Sequence, residues 1–177
     1  MDKPDKPVTI LHFLNQFFGG IGGEDQADTP PQFRAGPVGP GVVLAKHLGD
    51  RATVGDQASI TGTLICGDNY FIEHQEEAVA RLLELAGDCP ADVLVAGPAF
   101  NSGRYGTACG ALALAWQRDG RPAVTAMNVN NPGVELYQGE LYILETGATA
   151  ASMSDALGKL ADFAIKLARG TEIGPAS

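Results

Sequence analysis

The chain has 177 residues, of which 45% are apolar, 7% aromatic and 19% charged, which suits one domain with a buried core and excludes a disordered segment. A net charge of −9 disfavours nucleic acids and anionic membranes as partners, because both are bound by basic surfaces. No apolar run approaches the ~20 residues of a membrane span, and the polar start lacks a secretory signal, so the sequence predicts a cytoplasmic protein.

Strand-like and helix-like segments alternate along the chain. Short apolar runs predict five strands, at 8–14, 59–66, 92–96, 123–127 and 141–145. Helical periodicity predicts helices at 41–48, 71–86, 106–117 and 154–168, with Gly170 as the stop of the last one. The runs are continuously apolar, which is typical of strands covered on both faces. We therefore predict an α/β fold with a doubly wound, mainly parallel five-stranded sheet and helices on both faces, of the Rossmann-like or flavodoxin-like kind.

The α/β domain is expected to span residues 8–170, between a polar N-terminal extension (1–7) and a C-terminal tail (171–177). Residues 15–40 form a long loop that is rich in Gly and Pro and has no predicted element of its own. This loop carries apolar side chains that should face solvent, and exposed apolar residues are typical of interfaces. We predict that four of them contact a partner protein: Phe17, Phe18, Ile21 and Phe33.

The motifs of common enzyme classes are missing from the chain. There is no GxGxxG fingerprint, no phosphate-binding GxxxxGK[ST] loop and no GxSxG nucleophile motif. The cysteines and histidines lack metal-ligand spacing, so we expect no metal site and no cofactor in this chain. Cys66, at the end of the second predicted strand, is the local candidate for a catalytic thiol. The alternative, a buried inert thiol, is favoured for such a cysteine.

Polar residues concentrate after the predicted strands, where α/β sheets bind their ligands. Arg104 and the first amides of the helix that follows it suit a carboxylate. A structural salt bridge is an equally favoured role for Arg104, although no acidic residue is near it in the sequence. Asp68 and Asn69 are suited to capping the second helix, and this role is favoured over a ligand contact. We predict a small polar pocket for the substrate, lined by Glu24, Asn69, Asn101, Ser102, Gly103 and Arg104.

Five motifs, taken in order, resemble the B-component selenoprotein family of glycine, sarcosine and betaine reductases. They are LNQFF with GGE (14–18 and 22–24), GPVGPG (36–41), ICGDNYF (65–71), AGPAFNSGRYG (96–106) and NPGVELY (131–137). The resemblance extends from residue 9 to residue 173. It implies an α/β fold and reductive cleavage of a C–N bond next to a carboxylate.

The resemblance also implies how the work is divided between chains. The family's nucleophile, a selenolate or thiolate, lies in a UxxC-type motif in the carboxyl half of a longer chain, and this chain has no CxxC. We therefore expect a subunit of a split reductase-like complex, inactive alone, that acts on a small amine or amino-acid-derived substrate. A second subunit with the family's C-terminal half would supply the redox thiol or selenol. The alternative is a non-catalytic small-acid-binding or scaffold module of the same family.

Overall fold

A mixed six-stranded sheet with helices on both faces forms the protein in the computed structural model, which describes residues 6–51 and 57–175. The strands are β1 (Val8–Asn15), β2 (Gln32–Ala35), β3 (Ala58–Cys66), β4 (Val93–Ala96), β5 (Ala123–Met127) and β6 (Tyr142–Glu145). The helices are α1 (Pro40–Arg51), α2 (Asp68–Glu73), α3 (Gln75–Gly87), α4 (Gly103–Arg118), α5 (Pro132–Tyr137) and α6 (Met153–Ala168). Residues 1–5 and 176–177 of the predicted terminal segments lie outside the described residues.

The strands lie in the order β2-β3-β1-β4-β5-β6, and every neighbouring pair is parallel except β2 with β3. Thus β3 lies on one side of β1, and the strand that follows it along the chain, β4, lies on the other side of β1. The strand order reverses between β1 and β4. Open α/β sheets bind ligands beyond the carboxyl ends of the strands at such a point.

Each face of the sheet carries its own buried core, because successive residues of a strand point to opposite faces. On β4, Leu94 packs on the side covered by α2, α3 and α4, together with the buried Trp116. Val93 and Val95 pack on the other side, which α1 and α6 cover. The prediction of a mainly parallel sheet between two layers of helices is confirmed.

The prediction of five strands is wrong, because β2 adds a sixth strand at the edge, antiparallel to β3 and within the segment 15–40. This strand has only four residues, and all of them are half-buried or exposed. It therefore lacks the apolar run by which a buried strand is recognised in a sequence. Its Phe33 lies over Gly62 of β3, and a side chain at position 62 would collide with the Phe33 ring.

The helices differ from the prediction at several ends. The helix predicted over 71–86 is two helices, α2 and α3, separated at His74, whose φ of −130° and ψ of 42° interrupt the helix. The six-residue α5, capped by Asn131, is missing from the prediction. Helix α4 begins at Gly103, within the segment predicted as a loop. The end of α6 agrees with the prediction, since Gly170 follows it with a φ of +67°.

Candidate functional site

A cavity of about 350 Å³ lies at the carboxyl ends of β1, β3 and β4, where the strand order reverses. Its walls are formed by the segments that follow these strands and by the loop before α6. The lining residues are Asn15, Gln16, Phe17, Phe18, Gly23, Glu24, Asp68, Ala99, Phe100, Asn101, Ser102, Arg104, Ala148, Thr149 and Ala150. A cavity at this position is where the fold predicts a ligand site.

The structure brings together most of the residues that the sequence assigns to a substrate pocket. Those that line the cavity are Glu24, Asn101, Ser102 and Arg104. Asn69 does not line it, and its Nδ2 donates to Asp28 Oδ1 at 2.5 Å. Gly103 also lies outside the lining, against Pro132 of α5. Direct contact of these residues with a substrate stays a prediction.

Arg104 is paired with Glu24, a residue far away in the sequence. Its Nη2 donates to Glu24 Oε2 at 2.6 Å and links the first turn of α4 to a short 3-10 turn at Glu24–Gln26. This hydrogen bond lowers the pKa of Glu24 and raises the pKa of Arg104. The side chains are 39% and 72% exposed, so the pair adds little stability. The guanidinium has further N–H donors with which it can bind a ligand carboxylate.

Asp68 is the buried acidic residue of the cavity and is only 5% exposed. Its Oδ2 accepts from Asn15 Nδ2 at 3.1 Å, and its backbone N–H donates to Gln16 Oε1 at 2.9 Å. Its Oδ1 is buried and accepts no hydrogen bond from the described residues. Burial raises the pKa of Asp68, and the nearby Arg104 partly opposes this shift. The predicted side-chain cap of α2 is absent, because Gly67 occupies the N-cap position.

Asn131 holds the wall of the cavity that follows β4. Its Nδ2 donates to the backbone carbonyls of Phe100 and Ser102, both at 3.0 Å, while its Oδ1 accepts from the Gly133 N–H at 2.9 Å. The Asn128 N–H also donates to the Phe100 carbonyl, at 2.8 Å. These bonds maintain Phe100 at a φ of +51°, an unfavourable conformation for a residue with a side chain. The position of this wall therefore depends on a buried side chain from the next loop.

His12 supports the start of the same wall from within β1. Its side chain is fully buried and its Nε2 lies 2.7 Å from the Gly97 carbonyl oxygen. Because a carbonyl only accepts, Nε2 carries the proton. Burial lowers the pKa of His12 to about 4, so the ring is neutral at pH 7. The ring packs against Gly41 in α1, where a side chain would press on Nδ1.

None of the described cysteines lines the cavity. Cys66 is 1% exposed, does not line the cavity and has its Sγ 3.9 Å from the Thr29 carbonyl oxygen. Burial, reinforced by the charge of Asp68, raises the pKa of the Cys66 thiol to about 12. Burial also raises the pKa of Cys109 well above its usual range. Since the thiolate is the nucleophilic form, these properties favour an inert thiol at Cys66 over a nucleophile.

The apolar residues of the segment 15–40 are less exposed than the sequence predicts. Phe17 is 63% exposed, as expected of an interface residue. Phe18 is half-buried, with ring centroids 6.3 Å from Phe100 and 6.0 Å from Tyr105. Phe33 and Ile21 are half-buried as well. The expectation that all four side chains face solvent is correct for Phe17 alone, and contact with a partner stays a prediction.

Within residues 6–51 and 57–175, no three His, Cys, Asp or Glu side chains converge as metal ligands would. None of the helices in these ranges is long and apolar enough to cross a membrane. The polar groups that line the cavity are carboxyl groups, a guanidinium, side-chain amides and hydroxyls.

Comparison with known proteins identifies the family. Residues 7–177 match the model of the glycine/sarcosine/betaine reductase selenoprotein B family. The chain belongs to this family. The resemblance inferred from the five motifs is thereby confirmed.

The curated relatives are longer proteins. The chain is 46% identical over 171 residues to the sarcosine reductase complex component B subunit beta of Peptoclostridium acidaminophilum, covering 96% of this chain and 38% of the relative. It is 48% identical over 166 residues to the glycine reductase complex component B subunit gamma of Carboxydothermus hydrogenoformans. This match covers 93% of this chain and 37% of the relative. A betaine reductase complex component B subunit beta of Peptoclostridium acidaminophilum is 39% identical over 165 residues. This match covers 93% of this chain and 36% of the relative. The chain thus spans less than two fifths of the length of these relatives.

Four of the five selenoprotein B motifs line the cavity or hold its wall in place. Three motifs line it directly, namely 14–18 with 22–24, 65–71 and 96–106. The motif at 131–137 supplies Asn131, which holds the 97–102 wall in place. The motif at 36–41 does not line the cavity, and its Gly41 packs against His12 of β1. Four of the motifs that identify the family therefore build one region of the molecule.

Proposed function

We propose that this chain is a subunit of a glycine/sarcosine/betaine reductase-like complex that binds a small amine or amino-acid-derived substrate in the cavity at the strand ends. The redox thiol or selenol comes from a partner chain that carries the family's C-terminal half. The observation that carries the proposal is the cavity itself, which three family motifs line and a fourth supports through Asn131. The relatives are named as component B subunits of glycine, sarcosine and betaine reductase complexes, which supports a role in such a complex.

The charges of the cavity support a small amino acid as the ligand. Arg104 offers a cation and Asp68 a buried carboxyl group in the same cavity. The first turn of α4 begins at this wall, and the free amides of a helix start favour a carboxylate. Asn101 and Ser102 add groups that both donate and accept hydrogen bonds. A ligand with a carboxylate and an amine would use each of these features.

The thiols support the assignment of the redox step to a partner chain. Reductive cleavage of a C–N bond requires two electrons, and no cysteine lines the cavity among the described residues. Cys66 and Cys109 are buried with raised pKa values. The described cysteines are all unpaired, which fits the reducing cytoplasm as the location.

The strand order β3-β1-β4-β5-β6 supports a flavodoxin-like doubly wound sheet beside the antiparallel β2.

Reconstitution tests the proposal. The chain would be co-expressed with a tagged chain that corresponds to the remaining length of the curated relatives, and the assembled complex would be assayed for amine release from glycine and sarcosine with a dithiol reductant. We expect copurification and amine release by the complex, and no release by either chain alone. Assembly without amine release would favour the alternative, a small-acid-binding or scaffold module. Failure to assemble would overturn the proposal.

A further inference from the structure

The large apolar side chains that remain exposed lie at one end of the sheet. Among the described residues they are Phe17, Val42, Val43, Ile72, Val129 and Leu136. Phe17 follows β1, Ile72 lies in α2 directly after β3, and Val129 follows β5. Leu136 lies in α5, which also follows β5. Because these strands are parallel, the segments that follow them meet at the carboxyl edge of the sheet.

The two remaining side chains, Val42 and Val43, lie in the first turn of α1. This helix begins against the segment that follows β1, because Gly39 packs on the Phe18 carbonyl. Single exposed apolar residues are ordinary, whereas their restriction to one end of a molecule is typical of an interface. The carboxyl-edge face is defined here as residues 16–31, 40–43, 67–73, 97–106, 128–137 and 146–152.

The cavity opens to solvent in the carboxyl-edge face. Phe17 and Glu24 both line it, and they are 63% and 72% exposed. Asn15, Gln16 and Asp68 of the same lining are buried and form its inner part. A chain that brings a reactive group to a ligand in this cavity must therefore approach across this face.

The charge of the carboxyl-edge face is acidic. Its basic residue is Arg104, which is already paired with Glu24. The exposed acidic residues of the face are Glu24, Asp25, Asp28, Glu73 and Glu135. Arg118, Arg121 and Arg169 lie at the opposite end of the sheet, beyond the ends of α4 and α6 or in their last turns. A surface complementary to this face is apolar and bordered by Lys and Arg.

We propose that the partner chain docks on the carboxyl-edge face and covers the opening of the cavity, through an apolar surface bordered by basic residues. This inference rests on the proposed function, which assigns the redox group to a partner chain. More than three fifths of each curated relative lies outside its match to this chain, which is enough protein to cover such a face. A ligand in the cavity would then be enclosed between the two chains.

Val42→Lys and Val129→Lys test the inference, because the two side chains are 58% and 60% exposed and neither lines the cavity. Docking would bury each new lysine against apolar and basic groups of the partner chain. We expect each change to weaken binding of the tagged partner chain at least about tenfold, and the double change to weaken it further. Calorimetric titration of the two purified chains measures this affinity. The melting temperatures should change by less than about 2 °C, since both positions are exposed.

Ala80→Lys is the matched control. Ala80 is exposed on α3 and lines a groove of about 400 Å³ between α3 and α4, which shares no lining residue with the cavity. We expect this change to alter the affinity for the partner chain by less than about twofold. Weaker binding by Ala80→Lys, with full binding by Val42→Lys and Val129→Lys, would place the partner in that groove and overturn the inference.

The salt dependence of the affinity tests the basic border of the partner surface. Raising the salt concentration from about 0.05 M to about 0.5 M should weaken the association, because salt screens attraction between opposite charges. An affinity that does not change with salt would contradict the basic border.

Failure of the inference can be told apart from failure of the proposed function. If both lysine variants bind the partner chain as tightly as the unmodified chain, and their complexes still release amine, the docking face is wrong and the proposed function stands. If the partner chain does not bind the unmodified chain, both are overturned.

Discussion

Arg104 Nη2 and Glu24 Oε2 lie 2.6 Å apart and join two walls of the cavity that belong to different halves of the sheet. Glu24 follows β1 and Arg104 follows β4, so the pair spans the position at which the strand order reverses. Both side chains remain partly exposed, which leaves the guanidinium accessible to a ligand. The pair thus links the two segments, and its guanidinium keeps further N–H donors.

Arg104→Ala should weaken the binding of a carboxylate ligand by about tenfold to a hundredfold, because a charge-assisted contact is lost. The melting temperature should change little, since an exposed ion pair contributes only about 0–1 kcal/mol. Calorimetric binding and thermal unfolding measure the two effects. Arg81→Ala, which breaks an exposed pair with Glu84 at 3.1 Å, is the matched control and should leave binding intact. A lower melting temperature with unchanged affinity would restrict Arg104 to a structural role.

Asp68→Asn should raise the melting temperature at pH 7. Burial raises the pKa of Asp68, so the folded state retains its proton to a higher pH than the unfolded state. Stability contributed by this group therefore falls as pH rises above the ordinary Asp pKa of about 3.9. The advantage of the variant should disappear when thermal unfolding is followed down to about pH 3. A variant less stable than the unmodified chain at pH 7 would show that the Asp68 charge supports the fold.

His12→Gln should reduce the loss of stability in mild acid. Burial lowers the pKa of His12 to about 4, whereas the unfolded chain takes up this proton near pH 6.5. The unmodified chain should therefore lose about 3 kcal/mol of its free energy of unfolding between pH 6.5 and pH 4 from this residue. Denaturant titrations at several pH values measure the loss. His74→Gln, a change at an exposed histidine, should leave the acid-dependent loss in place.

Asn131→Ala should lower both the stability of the chain and the affinity of the cavity for its ligand. The change leaves the carbonyls of Phe100 and Ser102 without their donor and removes the cap of α5, which costs about 2 kcal/mol or more. Asn130→Ala, at the exposed neighbouring position, is the control and should have little effect on either property. Unfolding and binding measured on the same preparations would show whether the cavity wall after β4 depends on the Asn131 side chain. Equal stability and affinity of the two variants would refute this dependence.

The central elements of the fold are predictable because their signals are local. Continuous apolar runs and helical periodicity locate β1, β3, β4, β5 and α6 closely. The edge strand β2 escapes prediction, since its four half-exposed residues form no run and its existence depends on pairing with β3. The break at His74 and the short α5 likewise depend on packing more than on pattern.

The candidate site is predictable in position and less so in detail. Strand order places ligands at the carboxyl edge, and Glu24 and Arg104 are found there together. Their contact joins residues 80 positions apart, which no local pattern encodes. Asp68 resembles a helix cap in sequence, and only its burial beside Asn15 reveals an unpartnered carboxyl oxygen.

The hydrogen bonds of Asn131 have a consequence for movement in the molecule. They brace the segment after β4 against the segment after β5, so these two form one unit. The segment after β1 is braced separately against α2, through backbone bonds from Gly67 to Thr29 and from Asn69 to Ala27. Between the two units lie the Arg104–Glu24 pair and the ring contacts of Phe18. The cavity thus lies between two separately braced groups of segments. Ligand-induced displacement should occur between these two units, with little change inside either.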